Sequence, residues 1–275
     1  MPLPSKYEVD PADPRAPSVE VWHSLSRSEQ NRIVEQLPSE VELGPPEGDP
    51  HRIPKQRGIE ALDAFFRRAG RRVYLSSELP VYYPAERMFA PDLIAVCDVE
   101  PHERLRWVVT HEGRGLDFAL EVTLSGSRKK DLEENVARFA RLGIPEYFVF
   151  DRAQRRIFGW QLVAPGRPYE PIVPQQGRWR SGVLGLDLAV EGDRFRFYWG
   201  TAVVPELAEL VARANSLVDE LQDKLEHLDE QFAREQQRAE QEQQRAEQER
   251  QRAEQAEAEL ERLRAELERL RRERQ

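Results

Sequence analysis

Two acidic residues stand where acids are costly. Asp92 lies in "FAPDLIAV" (89–96) and Glu121 in "LDFALEVTL" (116–124), 121 − 92 = 29 positions apart. Apolar, β-branched or aromatic residues surround both, which is the composition of a buried strand. A carboxylate there is unfavourable unless it is paired or holds a metal. Two carboxylates at the ends of neighbouring strands converge on one point. A magnesium ion takes one or two carboxylates together with water and phosphate oxygens. A metal held that way polarises a phosphoryl group and lowers the pKa of an attacking water. A nearby lysine then orients the water or neutralises the developing charge.

The elements around these acids follow from capping and periodicity. Ser26 and Glu29 form an S-x-x-E capping box, so a helix is expected to about Leu37. "PPEGDP" (45–50) breaks the chain, and Ile59, Leu62, Phe65 and Phe66 give a second helix from Lys55 to Ala69. His51 precedes that helix and reads as a loop histidine, with phosphate contact as the alternative. "RRVYLSSELPVYYP" (71–84) alternates as strands do, and "PDLIAVCDV" (91–99) reads as a central strand. Arg106–Thr110 and Phe118–Leu124 read as a hairpin whose longer loop holds His111 and Glu112. "RKKDLEENVARFARLGI" (128–144) carries an apolar stripe of Leu132, Val136, Phe139, Ala140 and Leu142, and Gly143 stops it. "EYFVFD" and "RIFGWQLV" follow as strands. Two strands, a helix and a strand make a mixed α/β sheet with a crossover, flanked by helices.

The 275 residues carry a formal net charge of −9 and one cysteine. Cys97 lies in a strand pattern with no Cys or His cluster, so an inert buried thiol is expected. The polar, proline-rich start lacks a secretory pattern, and no apolar run reaches the ~20 residues of a membrane span. The expectation is a soluble cytoplasmic protein. Net acidity argues against non-specific coating of nucleic acid but permits a local basic groove.

The chain divides into an N-terminal lead-in with one helix (1–50), a globular domain (51–200) and a C-terminal tail (205–275). The tail repeats by sevens: Val211, Val218, Leu225, Phe232, Ala239, Ala246, Ala253, Leu260 and Leu267 form one series. Leu221, Leu228, Ala256, Leu263 and Leu270 belong to a second, making an a/d seam. Its middle is weak, with alanine opposite Glu242 and Glu249. An oligomerising coiled coil is the first reading. A solitary helix held by i,i+4 ion pairs, or partial disorder, is the alternative.

Taken in order, Pro91–Asp92, the "EVT" of Glu121–Thr123, the following amphipathic helix and "GIPEYFVFD" (143–151) resemble the PD-(D/E)XK nuclease superfamily. More narrowly they are similar to its Uma-type restriction endonuclease family. The resemblance covers roughly residues 20–190. It implies a restriction-endonuclease-like fold and a magnesium- or manganese-dependent endonuclease acting on DNA. It also implies that Asp92 and Glu121 are metal ligands and that the Val122 carbonyl adds a backbone oxygen.

The departures concern charge. The superfamily lysine position, two after the glutamate, is Thr123. The Uma-type helix lysine, four after Asp131, is Asn135, which hydrogen-bonds but carries no positive charge. Lys129 and Lys130, at the start of the same helix, are the candidate replacements, with a solvated basic pair as the plain alternative. Asp131 reads equally as a site residue or as an N-cap. His51, Thr123, Asp131 and Asn135 are the possible accessory residues. Glu60 is a further possible outer ligand, Glu146 a salt-bridge former and Tyr147 a packing residue. Arg67, Arg68, Arg71, Arg72, Arg128, Lys129 and Lys130 are candidates for phosphate contact. A second function class stays open: a catalytically degenerate nuclease fold that serves as a binding scaffold and oligomerises through its tail.

Overall fold

The computed structural model describes residues 7–39, 48–124 and 128–273. Two short helices lead, α1 (Val19–Ser24) and α2 (Arg27–Gln36). The expected capping box closes on α2: Ser26 Oγ accepts from the Glu29 amide at 3.4 Å, and the Ser26 amide donates to Glu29 Oε2 at 3.0 Å. Helix α3 (Asp49–Ala69) starts earlier than the apolar spacing predicts. Pro50 is tolerated in its first turn, where amides have no intrahelical partner. Pro54 lies inside the helix and removes the amide that Pro50's carbonyl would accept; Arg152 Nη1 donates to that carbonyl instead. His51 therefore stands on a helix, not in a loop.

The chain continues through β1 (Val73–Ser76), β2 (Val81–Tyr82), β3 (Leu93–Cys97), β4 (Trp107–Val108), the short helix α4 (Val109–Glu112) and β5 (Phe118–Thr123). A π-helical turn (Lys130–Glu134) runs into α5 (Asn135–Leu142). Then come β6 (Glu146–Asp151), β7 (Arg156–Gln161), β8 (Glu170–Pro171), β9 (Arg178–Ser181), β10 (Leu186–Glu191), β11 (Arg194–Trp199), β12 (Ala202–Val203) and α6 (Leu207–Glu273). The main sheet has the order β1-β3-β5-β6-β7-β8. Only β5 and β6 run parallel in it, joined by the expected helical crossover. A second, antiparallel sheet has the order β12-β11-β10-β9, and β2 pairs in parallel with β4.

The expected hairpin of Arg106–Thr110 with Phe118–Leu124 does not form. Trp107 is fully buried, stacks on Tyr74 at 5.2 Å and donates its indole N–H to the Arg114 carbonyl. That packing draws β4 onto β2. His111 and Glu112 fall in α4, where Glu112 pairs with Arg104.

Strand β3 shows how the core is divided. Leu93, Ala95 and Cys97 face Leu62 and Phe66 of α3 together with Leu186 and Phe195 of the second sheet. Ile94 and Val96 face the other way, toward Phe139 of α5 and Tyr147. The period of two thus puts helices on both faces of the main sheet. Cys97 is buried, and burial raises its thiol to about 11.

Helix α3 lies close to β11 at Gly58. A Cβ there would meet the Phe195 ring at 2.8 Å and Leu93 Cδ1 at 3.4 Å. Gly58→Ala is expected to lower stability by roughly 1–3 kcal/mol through overpacking, against the helix preference for alanine. Thermal unfolding checks this, and a variant as stable as the wild type would show that the ring yields freely.

Glu146 forms no ion pair within 4.0 Å among the described residues. Its Oε1 accepts from the amides of Gly182 at 2.7 Å and Val183 at 3.1 Å, and its Oε2 from the Ser181 hydroxyl, tying the β9–β10 turn to the main sheet. Burial pushes its pKa up despite those donors. A carboxyl raised in the fold adds stability below its unfolded value and loses that contribution as pH climbs through the folded value. Glu146→Ala is therefore expected to cost about 2–3 kcal/mol near pH 4.5, from the stranded buried donors, and less at higher pH. Urea unfolding at a series of pH values measures the trend; a cost that grows with pH would refute the assignment.

Two compact units emerge, Met1–Leu210 and Val211–Gln275. No helix among the described residues is long and apolar enough to cross a membrane.

Candidate active site

The antiparallel register pairs Leu93 with Leu120, so the next step along both strands sets Asp92 across from Glu121. That step answers the 29-residue spacing: the two acids meet at one end of the main sheet. Both are buried. The Asp92 amide donates to Glu121 Oε2 at 3.2 Å, and the Val122 amide donates to Asp92 Oδ2 at 2.7 Å. Val122 thus touches the pair through its N–H.

Helix α3 supplies the other side. His51 Nε2 lies 3.2 Å from Asp92 Oδ2, and Lys55 Nζ lies 3.4 Å from Asp92 Oδ1. Residues 51 and 55 are four apart and share a helix face. Lys55 also pairs with Glu78, and its side chain is only 4% exposed. Glu78 adopts a left-handed backbone with φ of 53°, unfavourable for a residue with a Cβ. The fold tolerates that conformation beside the acids, where strained residues tend to gather. Ser77 Oγ donates to the Asp92 carbonyl at 2.7 Å and steadies the strand entrance.

The π-helical turn supplies the third side. Asn135 Nδ2 donates to Glu121 Oε1 and to Asp131 Oδ1, both at 3.4 Å. Asp131 is buried, and its carbonyl accepts from the Tyr147 hydroxyl at 3.0 Å. Tyr147 also packs edge-on against Phe139. The wider turn brings Asp131 and Asn135 inward together, a common use of π turns at functional sites. Thr123 is buried one strand pair beyond Glu121. Lys129 and Lys130 are exposed, yet the Lys130 charge still acts on Glu121.

The electrostatics are uneven. Burial raises the Asp92 pKa, but the His51 hydrogen bond and charge, Lys55 and the Val122 amide outweigh it and hold the group below its ordinary value. Glu121 goes the other way. Burial, then the charges of Asp92 and Asp131, push it well above the usual glutamate range. Negative charge is in excess around Glu121, and the carboxylates of Asp92, Glu121 and Asp131 offer hard oxygens. Among the described residues no three His, Cys, Asp or Glu side chains are set to hold a metal alone. Two carboxylates completed by water and phosphate oxygens fit magnesium or manganese, which seldom use an all-protein cage.

An open groove is lined by Arg52, Lys55, Gln56, Glu60, Ser77 and Glu78, of which Lys55 and Ser77 contact Asp92. Glu60 accepts from Gln56 in that groove and does not touch Asp92 or Glu121. Arg67 and Arg68 stand in the last turn of α3, 12 or more residues past Lys55 and about 18 Å away at 1.5 Å per residue, and Arg71 and Arg72 lie just beyond the helix end. Arg67 pairs with Asp63, Arg72 with Glu100, and Arg71 donates to the carbonyls of Val183 and Leu184. Arg128 pairs with Asp151. These arginines are structural partners rather than groups gathered at the acids.

Lys55 is the residue that sequence reading passed over. The signal for it was its place four residues after His51, which becomes visible only once α3 is known to begin at Asp49.

Among curated proteins none matches the sequence. Among solved structures, a putative nuclease belonging to DUF820 from Anabaena variabilis is 12% identical; the match covers 52% of this chain and 78% of that one, with a TM-score of 0.40. Residues 13–191 match the model of the Uma2 family, described as "Putative restriction endonuclease", and because this span is well over half of the sequence the chain belongs to that family.

Proposed function

We propose that the protein hydrolyses DNA phosphodiester bonds with magnesium or manganese, and that Asp92 and Glu121 hold the metal. One observation carries this reading: two buried carboxylates on neighbouring strands, Glu121 accepting from the Asp92 main-chain amide at 3.2 Å, with a buried lysine on the Asp92 carboxylate. The bound metal would supply Lewis-acid polarisation of the phosphoryl group and a lower pKa for the attacking water. The Val122 amide and His51 fix the Asp92 carboxylate, and Asn135 fixes Glu121. Lys55 supplies the positive charge that the family pattern takes from the position of Asn135. The cation is thereby moved from the Glu121 side to the Asp92 side, where it stabilises charge developing on the phosphate. Arg52 in the groove, with Lys129 and Lys130, holds flanking phosphates. Their exposure suits backbone contact, which sets affinity without reading sequence.

The test is nicking of supercoiled plasmid by the full chain with magnesium and then manganese, beside Asp92→Ala and Glu121→Ala. Cleavage that vanishes in both variants supports the reading. Folded protein that does not cleave with either metal overturns it in favour of a binding scaffold, the reading that Asn135 at the lysine position favours. A second measurement does not depend on turnover. Magnesium at a hundred times its dissociation constant is expected to stabilise the native state by about 2.7 kcal/mol. For a chain of this size that raises the thermal midpoint by roughly 5–10 °C. Glu121→Gln should show no such rise, and an equal rise in that variant would place the metal elsewhere.

A further inference from the structure

Helix α6 is 67 residues long, about 100 Å at 1.5 Å per residue. Among its described residues from Val211 onward, the large apolar side chains are half-exposed or more: Val218 51%, Leu221 50%, Leu225 62%, Leu228 59% and Phe232 63%. Side chains of this size on one stripe of a long helix mark an interaction surface. We infer that the surface is covered by a second copy of this chain, paired parallel and in register over residues 211–232. This inference does not depend on the nuclease reading.

Three features of that block argue for it. First, every seam layer is apolar: Val211, Val218, Leu225 and Phe232 at a, with Ala214, Leu221 and Leu228 at d. Valine at early a positions and leucine at d favour two parallel strands. Second, the flanking e and g positions are Asn215, Leu217, Gln222, Lys224, Asp229 and Gln231, so Lys224 and Asp229 carry the only charges there. They are five residues apart, from a g position to the next e. A parallel, in-register partner brings each lysine to the other chain's aspartate on both sides of the seam. An antiparallel pairing of the same block sets Lys224 against Leu217, so that neither charge meets an opposite one across the seam and Lys224 keeps only Glu220 of its own helix. Third, the next stretch is built against pairing: Glu235, Glu242 and Glu249 occupy d, and Arg245 and Arg250 repeat the five-residue spacing with like charge. The seam resumes at Leu260, Leu263 and Leu267, flanked by Arg252 with Glu257 and by Glu259 with Arg264, each five apart and opposite in sign. Association therefore rests on two blocks separated by the glutamate-bearing stretch, and 211–232 carries the longer unbroken run of apolar layers.

Sedimentation equilibrium of the full chain at micromolar concentration is expected to give twice the 32.0 kDa chain mass. Leu221→Glu with Leu228→Glu is expected to return it to a single chain mass. Both side chains are exposed in one chain, so the globular unit should keep its own melting transition. Ala214→Cys is expected to cross-link into covalent dimers under mild oxidation. The unaltered chain, whose one thiol is the buried Cys97, is the blank. A wild-type mass of one chain, or of three, overturns the proposal, as does a double variant that stays dimeric. Cross-linking of Ala214→Cys only to Leu225→Cys chains, and not to itself, overturns the parallel register.

Discussion

Replacing Lys55 by methionine is expected to slow plasmid cleavage by roughly 10²–10³-fold, the usual cost of removing one preorganised stabilising donor. Methionine keeps the unbranched stem that fills the buried slot beside Asp92 and removes only the ammonium. Lys129→Ala and Lys130→Ala are expected to cost less than about tenfold each, since exposed charges at the rim are screened. The loss at Lys55 should fall on kcat with little change in KM if the ammonium acts on developing charge, because an interaction made only in the transition state leaves substrate binding alone. A melting curve on the same preparation separates chemistry from folding: removing Lys55 also leaves the carboxylates of Asp92 and Glu78 without their shared partner. Wild-type cleavage by Lys55→Met would sink the assignment. Loss of cleavage in Lys130→Ala instead would move the cation to the π-helical turn.

The second large effect is on stability. Arg196 on β11 is 4% exposed at its side chain and grips Glu209 with two hydrogen bonds, at 3.0 and 2.8 Å. It also approaches Glu206, whose other oxygen accepts from Arg194 at 2.8 Å. Glu209 in turn accepts from the Glu206 amide at 2.9 Å, satisfying a donor just before α6. One buried guanidinium therefore fixes the start of the long helix. Arg196→Met is expected to cost about 3 kcal/mol. That is the low end for breaking a buried pair, since Glu209 remains about a third exposed. The Arg196 hydrogen bond holds the Glu209 pKa below its ordinary value of 4.5. A carboxyl lowered in the fold contributes stability above its unfolded value and loses it as pH falls through the folded one. The penalty of Arg196→Met should accordingly be full near neutrality and shrink below about pH 4.5. Chemical denaturation at pH 7 and pH 3.5 measures it; equal penalties at both would show that the ion pair carries none of the effect.

Local physics made much of this legible in the sequence. The capping box at Ser26 and Glu29, the buried run of β3, the amphipathic stripe before Gly143 and the seven-residue repeat of the tail each depend on residues a few positions apart, so pattern alone determines them. The acids were legible for a related reason: a carboxylate inside an apolar strand is conspicuous because its burial is expensive.

Only the tertiary structure decided the rest. Trp107 turned an expected hairpin into a pairing of β4 with β2, since a buried indole goes where a partner ring and a carbonyl await it. The π turn that swings Asp131 and Asn135 toward Glu121 depends on what the helix packs against. Above all, the buried ammonium beside Asp92 belongs to Lys55, 37 residues earlier in the chain. No spacing rule connects a lysine on one helix to a carboxylate on a distant strand. A lysine is ordinarily a surface residue, and what makes this one different is the register of α3 against the main sheet.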